Sequence, residues 1–148
     1  MAVIRGCSFP DDLLYDVGRH VWYREEADGR VVIGITSVAV ALAGEILAFT
    51  PKRSGREVEA GRSCATIESG KWVGPVRVIC DGIVTAINES LMERPRLINL
   101  DPYGEGWMLA IAPSDWPAAR ALLIGGDELV PAYERQMDTD KFPGCGEG

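Results

Sequence analysis

At 148 residues the chain has single-domain length, and with 47% apolar and 25% charged residues it has the composition of an ordinary globular protein able to bury one sizeable core without disulfide staples. A formal charge of −7 and a pI near 4.7 argue against a nucleic-acid backbone or an anionic membrane as partner, since both would repel it. No apolar run approaches the length of a bilayer crossing, and the first residues, "MAVIRGCSFPDDLLYDVG", meet acidic side chains too early for a secretory signal, so the expected location is the cytoplasm.

Taken in chain order, "DDLLYDVG" reads as a short N-terminal helix. "HVWYREEADGRVVIGIT" reads as two strands around a turn at Asp28-Gly29, whose preference for positive φ suits a hairpin. "SVAVALAG" is apolar without strict alternation, either a helical turn or a crossing segment that ends at Gly44. "EILAFTP" is a strand stopped by Pro51, and "KRSGREVEAG" is a polar loop around a short edge strand with Val58 pointing inward. "SCATIES" and "VRVIC" are strand-like on either side of "GKWVGP", and Asp81-Gly82 signals a turn between "VRVIC" and "IVTAIN". Pro95 and Pro102 break up "ESLMERPRLINLDPYGEGW" before the strand "WMLAIA". "SDWPAARALLIGG" carries the signals of a helix capped by Ser114 or Asp115 and closed by Gly125-Gly126, a second helix is expected in "DELVPAYERQM", and residues from about 138 to 148 read as a flexible tail. Strands recurring every eight to twelve residues favour a mainly β, antiparallel sandwich or barrel over a parallel α/β sheet, as a single domain spanning 1–148.

The chemistry-bearing residues are few. Cys7, Cys64, Cys80 and Cys145 form no C-x-x-C pair and His20 is the only histidine, so neither a metal site nor a Ser-His-Asp or Cys-His catalytic set is expected. Cys64 and Cys80 fall in apolar runs and read as small buried hydrophobes, whereas Cys145, in "FPGCGEG", reads as an exposed thiol. Of 15 basic residues only Lys52, Lys71 and Lys141 are lysines, which gives a lysine-directed modification few competing targets.

Lys71 stands at the tip of the "SCATIESGKWVGP" hairpin. A lysine in such a turn is ordinarily a solvated residue, and it gains interest here from its surroundings. His20 and Trp22 stand two apart. "IGIT" contains Gly34, with Gly44 ten residues on, and Val58 and Gly61 make a V-x-x-G step. Glu68-Ser69-Gly70-Lys71 is an E-S-x-K tetrad, Gly82 and Asn88 follow at fixed distances, and "PRLINLDPYGEGW" spans residues 95 to 107. On these motifs the chain, from about Gly18 to Trp107, resembles the lipoyl-carrying H proteins of the glycine cleavage system.

The resemblance implies a flattened antiparallel β-sandwich and barrel hybrid of the lipoyl-domain type, with lipoic acid amide-linked to Lys71 and no catalytic residues. Glu68, Ser69, Gly70 and Trp72 then surround the arm. Glu68 is either a recognition element for the modifying enzyme or a partner, or a plain solvated carboxylate, and Trp72 either packs on the sheet or offers a partner-docking or dithiolane-stacking surface. Lipoate ligase or lipoate assembly enzymes are implied as partners. Biotin carriers flank their lysine with methionines, unlike Gly70 and Trp72 here.

Four positions depart from the family's pattern in the pocket that shelters the aminomethyl-loaded arm. Val21 replaces a glutamate, Pro75 an aspartate, Arg19 a small polar residue and Val38 an aromatic or histidine. An aminomethyl group is cationic at neutral pH, so a cleft that holds it must offer acceptors in place of water. The departures point instead to an H-protein-like lipoate-binding protein whose partner is a heterodisulfide-reductase-like complex of sulfur oxidation. The alternative is a glycine cleavage H protein that works with glycine decarboxylase, aminomethyltransferase and dihydrolipoamide dehydrogenase. A third reading is an unmodified interaction module.

Overall fold

The structure, a computed structural model, describes residues 1–146. Strands β1 (Ala2–Ile4) and β2 (Cys7–Phe9) form a hairpin of their own, followed by β3 (Leu14–Asp16), β4 (Val21–Glu25), β5 (Val31–Ile35) and helix α1 (Ser37–Ala43). Next come β6 (Ile46–Pro51), β7 (Glu57–Val58), β8 (Ser63–Ser69), β9 (Val73–Arg77) and β10 (Gly82–Ile87). Helices α2 (Ser90–Glu93) and α3 (Leu97–Leu100), strand β11 (Leu109–Pro113), and helices α4 (Trp116–Arg120) and α5 (Leu129–Thr139) complete the chain. A six-stranded antiparallel sheet in the order β3-β4-β5-β11-β10-β7 packs against a three-stranded sheet, β6-β8-β9. The expected mainly β, antiparallel architecture is what forms.

The large sheet is covered on both faces, which is why "VVIGI" is apolar throughout and does not alternate. Val21, Tyr23, Ile33 and Ile35 point toward the small sheet, where they meet Ile67, Phe49 and Val76. Trp22 and Val32 point the other way, into a second core of Phe9, Tyr15 and Tyr133 under the β1-β2 hairpin and α5. Gly34 lies opposite Trp22 in register, and a Cβ there would stand 2.4 Å from the indole ring, so the glycine makes room for the tryptophan.

Several sequence expectations need correction. "DDLLYDVG" forms no helix: Leu13, Tyr15 and Val17 are buried at a period of two, and Leu14–Asp16 pair with β4 as β3. The connection at Asp81-Gly82 joins two sheets and not neighbours within one, because β9 belongs to the small sheet and β10 to the large one. It carries the chain between sheets, with Asp81 Oδ1 accepting from the Ala60 N–H at 2.8 Å. A Cβ on Gly82 would stand 2.7 Å from the Ala112 carbonyl oxygen. "SVAVALAG" resolves to the helical alternative, α1, capped by the Thr36 side chain and closed by Gly44 at φ 81°. Helix α4 takes Asp115 as its cap but stops at Arg120, short of the glycine pair.

The tail is the largest correction. Helix α5 runs to Thr139, Phe142 is buried, and Cys145 forms a disulfide with Cys7 at a Cα–Cα distance of 5.1 Å. Arg5 reinforces the docking: its Nη1 donates to the Phe142 carbonyl at 2.8 Å, its carbonyl accepts from the Cys145 N–H at 3.0 Å, and its guanidinium pairs with Asp138. Residues 138 to 146 are therefore held, Cys145 is no free thiol, and the last two residues of the expected tail lie outside the described residues. Cys64 and Cys80 are buried as expected. No helix among the described residues is long and apolar enough to cross a membrane.

Candidate functional site: the lysine tip and the cleft beneath it

Strands β8 and β9 run antiparallel from Ser63↔Arg77 to Glu68↔Val73, and after Ser69 ends β8 leave Gly70, Lys71 and Trp72 to turn the chain. Ser69 clasps this turn. Its N–H donates to the Trp72 carbonyl at 2.7 Å, its Oγ donates to the same carbonyl at 3.3 Å, and that Oγ accepts from the Lys71 N–H at 3.3 Å. The lysine therefore sits exposed on a turn tied at both sides. Gly70 has open space where a side chain would be, which keeps the approach to the lysine uncrowded.

The Lys71 stem does not point straight into solvent. Its Cε lies 3.3 Å from where a Cβ on Gly44 would stand, so the stem crosses the end of α1 over the one residue without a side chain. Asn99 fixes that end, donating to the Gly44 carbonyl and accepting from the Ile46 N–H, each at 2.8 Å. The "LIN" asparagine thus holds the surface on which the lysine lies. Asn88 donates to the carbonyls of Glu105 and Trp107, and the Asp101 carbonyl accepts from Gly106, so these bonds hold "DPYGEGW" as a tight connection into β11.

Beneath the tip lies a cleft of about 530 Å³. Its walls come from the hairpin (Ile67, Trp72, Val76), from α1 (Ala39, Leu42, Ala43) and from the start of β4. Val21 and Pro75, singled out from the sequence, both line it, as do Arg19 and His20. Val38 is buried in the core behind and Glu68 is exposed beside Val73 in register, so neither is part of the wall. Trp72 packs on the sheet: its ring covers Gly74, where a Cβ would be 2.0 Å away, while 42% of the residue stays exposed and it lines the cleft.

His20 is held at φ 60° with Nδ1 3.3 Å from the Tyr133 hydroxyl, and the two rings stack. Burial pushes its pKa below the usual histidine value, against the opposing pull of Asp140 and Asp16, so the imidazole is neutral at neutral pH. Tyr133 sits on α5, and its link to the cleft was not visible in the sequence; nor were the walls supplied by Ala39 and Leu42, since a short apolar helix carries no mark of what it faces. Among the described residues no cluster of histidine, cysteine, aspartate and glutamate is placed to hold a metal ion.

Comparison with known proteins gives the tip its context. A family model described as glycine cleavage H-protein matches residues 13–135. The chain belongs to that family. The glycine cleavage system H protein 5 of Aquifex aeolicus is 45% identical over 99% of this chain and all of its own length. A probable glycine cleavage system H protein 2 of Sulfurisphaera tokodaii is 35% identical over 96% of this chain and 97% of its own. Among solved structures, a glycine cleavage system H protein from Mycobacterium marinum superposes with a TM-score of 0.74 at 32% identity, covering 88% of this chain and 99% of that one. H-family membership makes the chain a lipoyl carrier by class, not a catalyst in its own right.

Proposed function

We infer that this H-family chain works through lipoic acid amide-linked to Lys71. The observation that carries this is the placement of Lys71: an exposed amine on a turn clasped by Ser69, its stem laid across Gly44 at the edge of an apolar cleft. The group fits there. Amidation removes the lysine's charge, and the apolar walls from Leu42, Ala43 and Ile67 suit an aliphatic stem. When attached, lipoic acid supplies a disulfide/dithiol couple on a tether, which reaches partner sites at effective concentrations of order millimolar. The chain's own part is to present the tip rigidly, with Glu68 exposed beside it for the lipoate-attaching enzyme to read.

The relatives described above support glycine cleavage as the system served, with an aminomethyl cargo and with glycine decarboxylase, aminomethyltransferase and dihydrolipoamide dehydrogenase as partners. They back that alternative ahead of the sulfur-oxidation assignment. One observation still favours a sulfur-linked cargo and a heterodisulfide-reductase-like partner: Val21 and Pro75 line the cleft, and no carboxylate does among the described residues. A bound ammonium without acceptors forgoes charge-assisted hydrogen bonds of about 1.5–3 kcal/mol each. The proposed place of work is the cytoplasm, where the Cys7–Cys145 bond must withstand reducing conditions; Cys7 is fully buried.

Intact-mass and peptide analysis of protein from its native host should find one lipoyl group, on Lys71. Unmodified protein from lipoate-replete cells would sink the carrier reading. Lys71→Arg should fold as the parent does and carry nothing, since a guanidinium forms no such amide. At equal lipoylation, loading by glycine decarboxylase on a par with an authentic H protein decides for glycine cleavage; poor loading, restored by Val21→Glu with Pro75→Asp, decides for the second reading.

A further inference from the structure

The cleft beneath Lys71 has a polarity that its apolar walls conceal. Across it from the hairpin, Arg19 lines the wall with a side chain 40% exposed. Its Nη1 stands 3.6 Å from Asp16 Oδ2, too far for a hydrogen bond, and that oxygen is buried with no hydrogen-bond partner. Asp16 itself does not line the cleft, whereas Arg19 does. The Arg19 N–H also donates to Asp16 Oδ1 at 3.3 Å, fixing the backbone on the same carboxylate.

A second guanidinium approaches Arg19 at Gly61, outside the residues that line the cleft. Arg77, two residues past Pro75 on β9, donates from Nη1 to the Gly61 carbonyl at 3.0 Å, and Arg19 Nη2 lies 3.9 Å from where a Gly61 Cβ would be. The neighbouring Arg62 is paired with Glu59 and does not line the cleft. His20, also in the wall, is neutral, and Lys71 loses its own charge on acylation. What faces the cleft is then apolar surface, one guanidinium and no acid among the described residues.

We propose that the cleft berths an arm whose cargo end is an anion, such as a carboxylate or a sulfur oxyanion, and that Arg19 is the specificity-determining residue that reads this charge and rejects an ammonium. This rests on Lys71 as the attachment point of the arm. The physical reason is that an anion entering the cleft trades water for a guanidinium already held in place. A cation meets the same guanidinium at close range and is repelled by it.

The test need not involve lipoate. Lys71→Cys places one exposed thiol at the tip, while burial pushes Cys80 up to about 11 and Cys64 to about 12, and the other two cysteines are bonded together. That thiol is alkylated with N-substituted iodoacetamides of equal length ending in a carboxylate, a methyl group or an ammonium, and thermal midpoints are compared. The carboxylate adduct should melt about 2–4 °C above the ammonium adduct, with the methyl adduct between, and 0.5 M salt should narrow the gap. Arg19→Lys should keep the order, Arg19→Gln should close the gap and Arg19→Glu should reverse it. Equal midpoints for all three adducts, the ammonium highest, or an order indifferent to both salt and Arg19 would overturn the proposal. Lipoylation is read separately by mass on the unmutated protein, so failure of the arm and failure of the charge reading remain distinct.

Discussion

Removing the Cys7–Cys145 bond by Cys7→Ser with Cys145→Ser tests how the chain closes on itself. The two cysteines are 138 residues apart, so the bond ties almost the whole chain into one loop. In the chain-entropy treatment the loss is 2.1 plus 1.5R ln n in cal/mol/K, which for that separation gives about 5 kcal/mol at 25 °C. Spread over a chain of this size, the change corresponds to a fall in melting midpoint of about 10–20 °C. The assay is urea unfolding of oxidised parent and double variant without reductant, alongside a thiol count in denaturant. Parent protein should show two free thiols, Cys64 and Cys80. Four titratable thiols, or a stability difference below about 1 kcal/mol, would refute the reasoning.

Three further outcomes follow from the site. Gly44→Val should cost about 1–2 kcal/mol, because a β-branched residue takes φ 81° poorly, and should slow lipoylation by crowding the Lys71 stem; urea unfolding and lipoylation rate with a purified ligase measure the two effects. Asn99→Ala removes a donor and an acceptor at the end of α1 and should destabilise by about 1–3 kcal/mol in the same unfolding assay. His20 is held neutral by burial, so its folded pKa lies below its unfolded value of about 6.5. Its contribution is fully present above that value and is lost as pH falls through the folded pKa. His20→Asn, a residue that tolerates positive φ, should flatten this acid-side slope in stability measured against pH, and an unchanged slope would assign it to other groups.

The hairpin, its tip and the pocket departures were legible because local chemistry writes them: Ser69 to Trp72 is turn composition between two alternating strands, and Val21, Arg19 and Pro75 stand at motif positions. The helix at "DDLLYDVG" failed because Leu13, Leu14, Tyr15 and Val17 fit both a helical stripe and a strand, and pairing with β4 and Ile124 decides between them. Asp81-Gly82 carries the strongest local turn signal, yet the sheets on either side of it were set by long-range pairing. The tail misled for a related reason. "FPGCGEG" is flexible by composition, and its order comes from Arg5 and Cys7 at the far end of the chain, about which spacing says nothing.

Pro75 has figured so far as a piece of cleft wall, but β9 is also the open edge of its sheet. Counting along the ladder from the Ser69–Trp72 closing bond, Pro75 falls at a position whose nitrogen faces away from β8, toward that edge. An unpaired strand bearing an exposed Val73 is an invitation to any extended peptide, including the same hairpin of a second molecule. With no N–H to donate at mid-strand, the invitation is withdrawn. A partner enzyme that takes up the tip must therefore grip it through side chains and the arm itself, and can let go without unzipping a sheet.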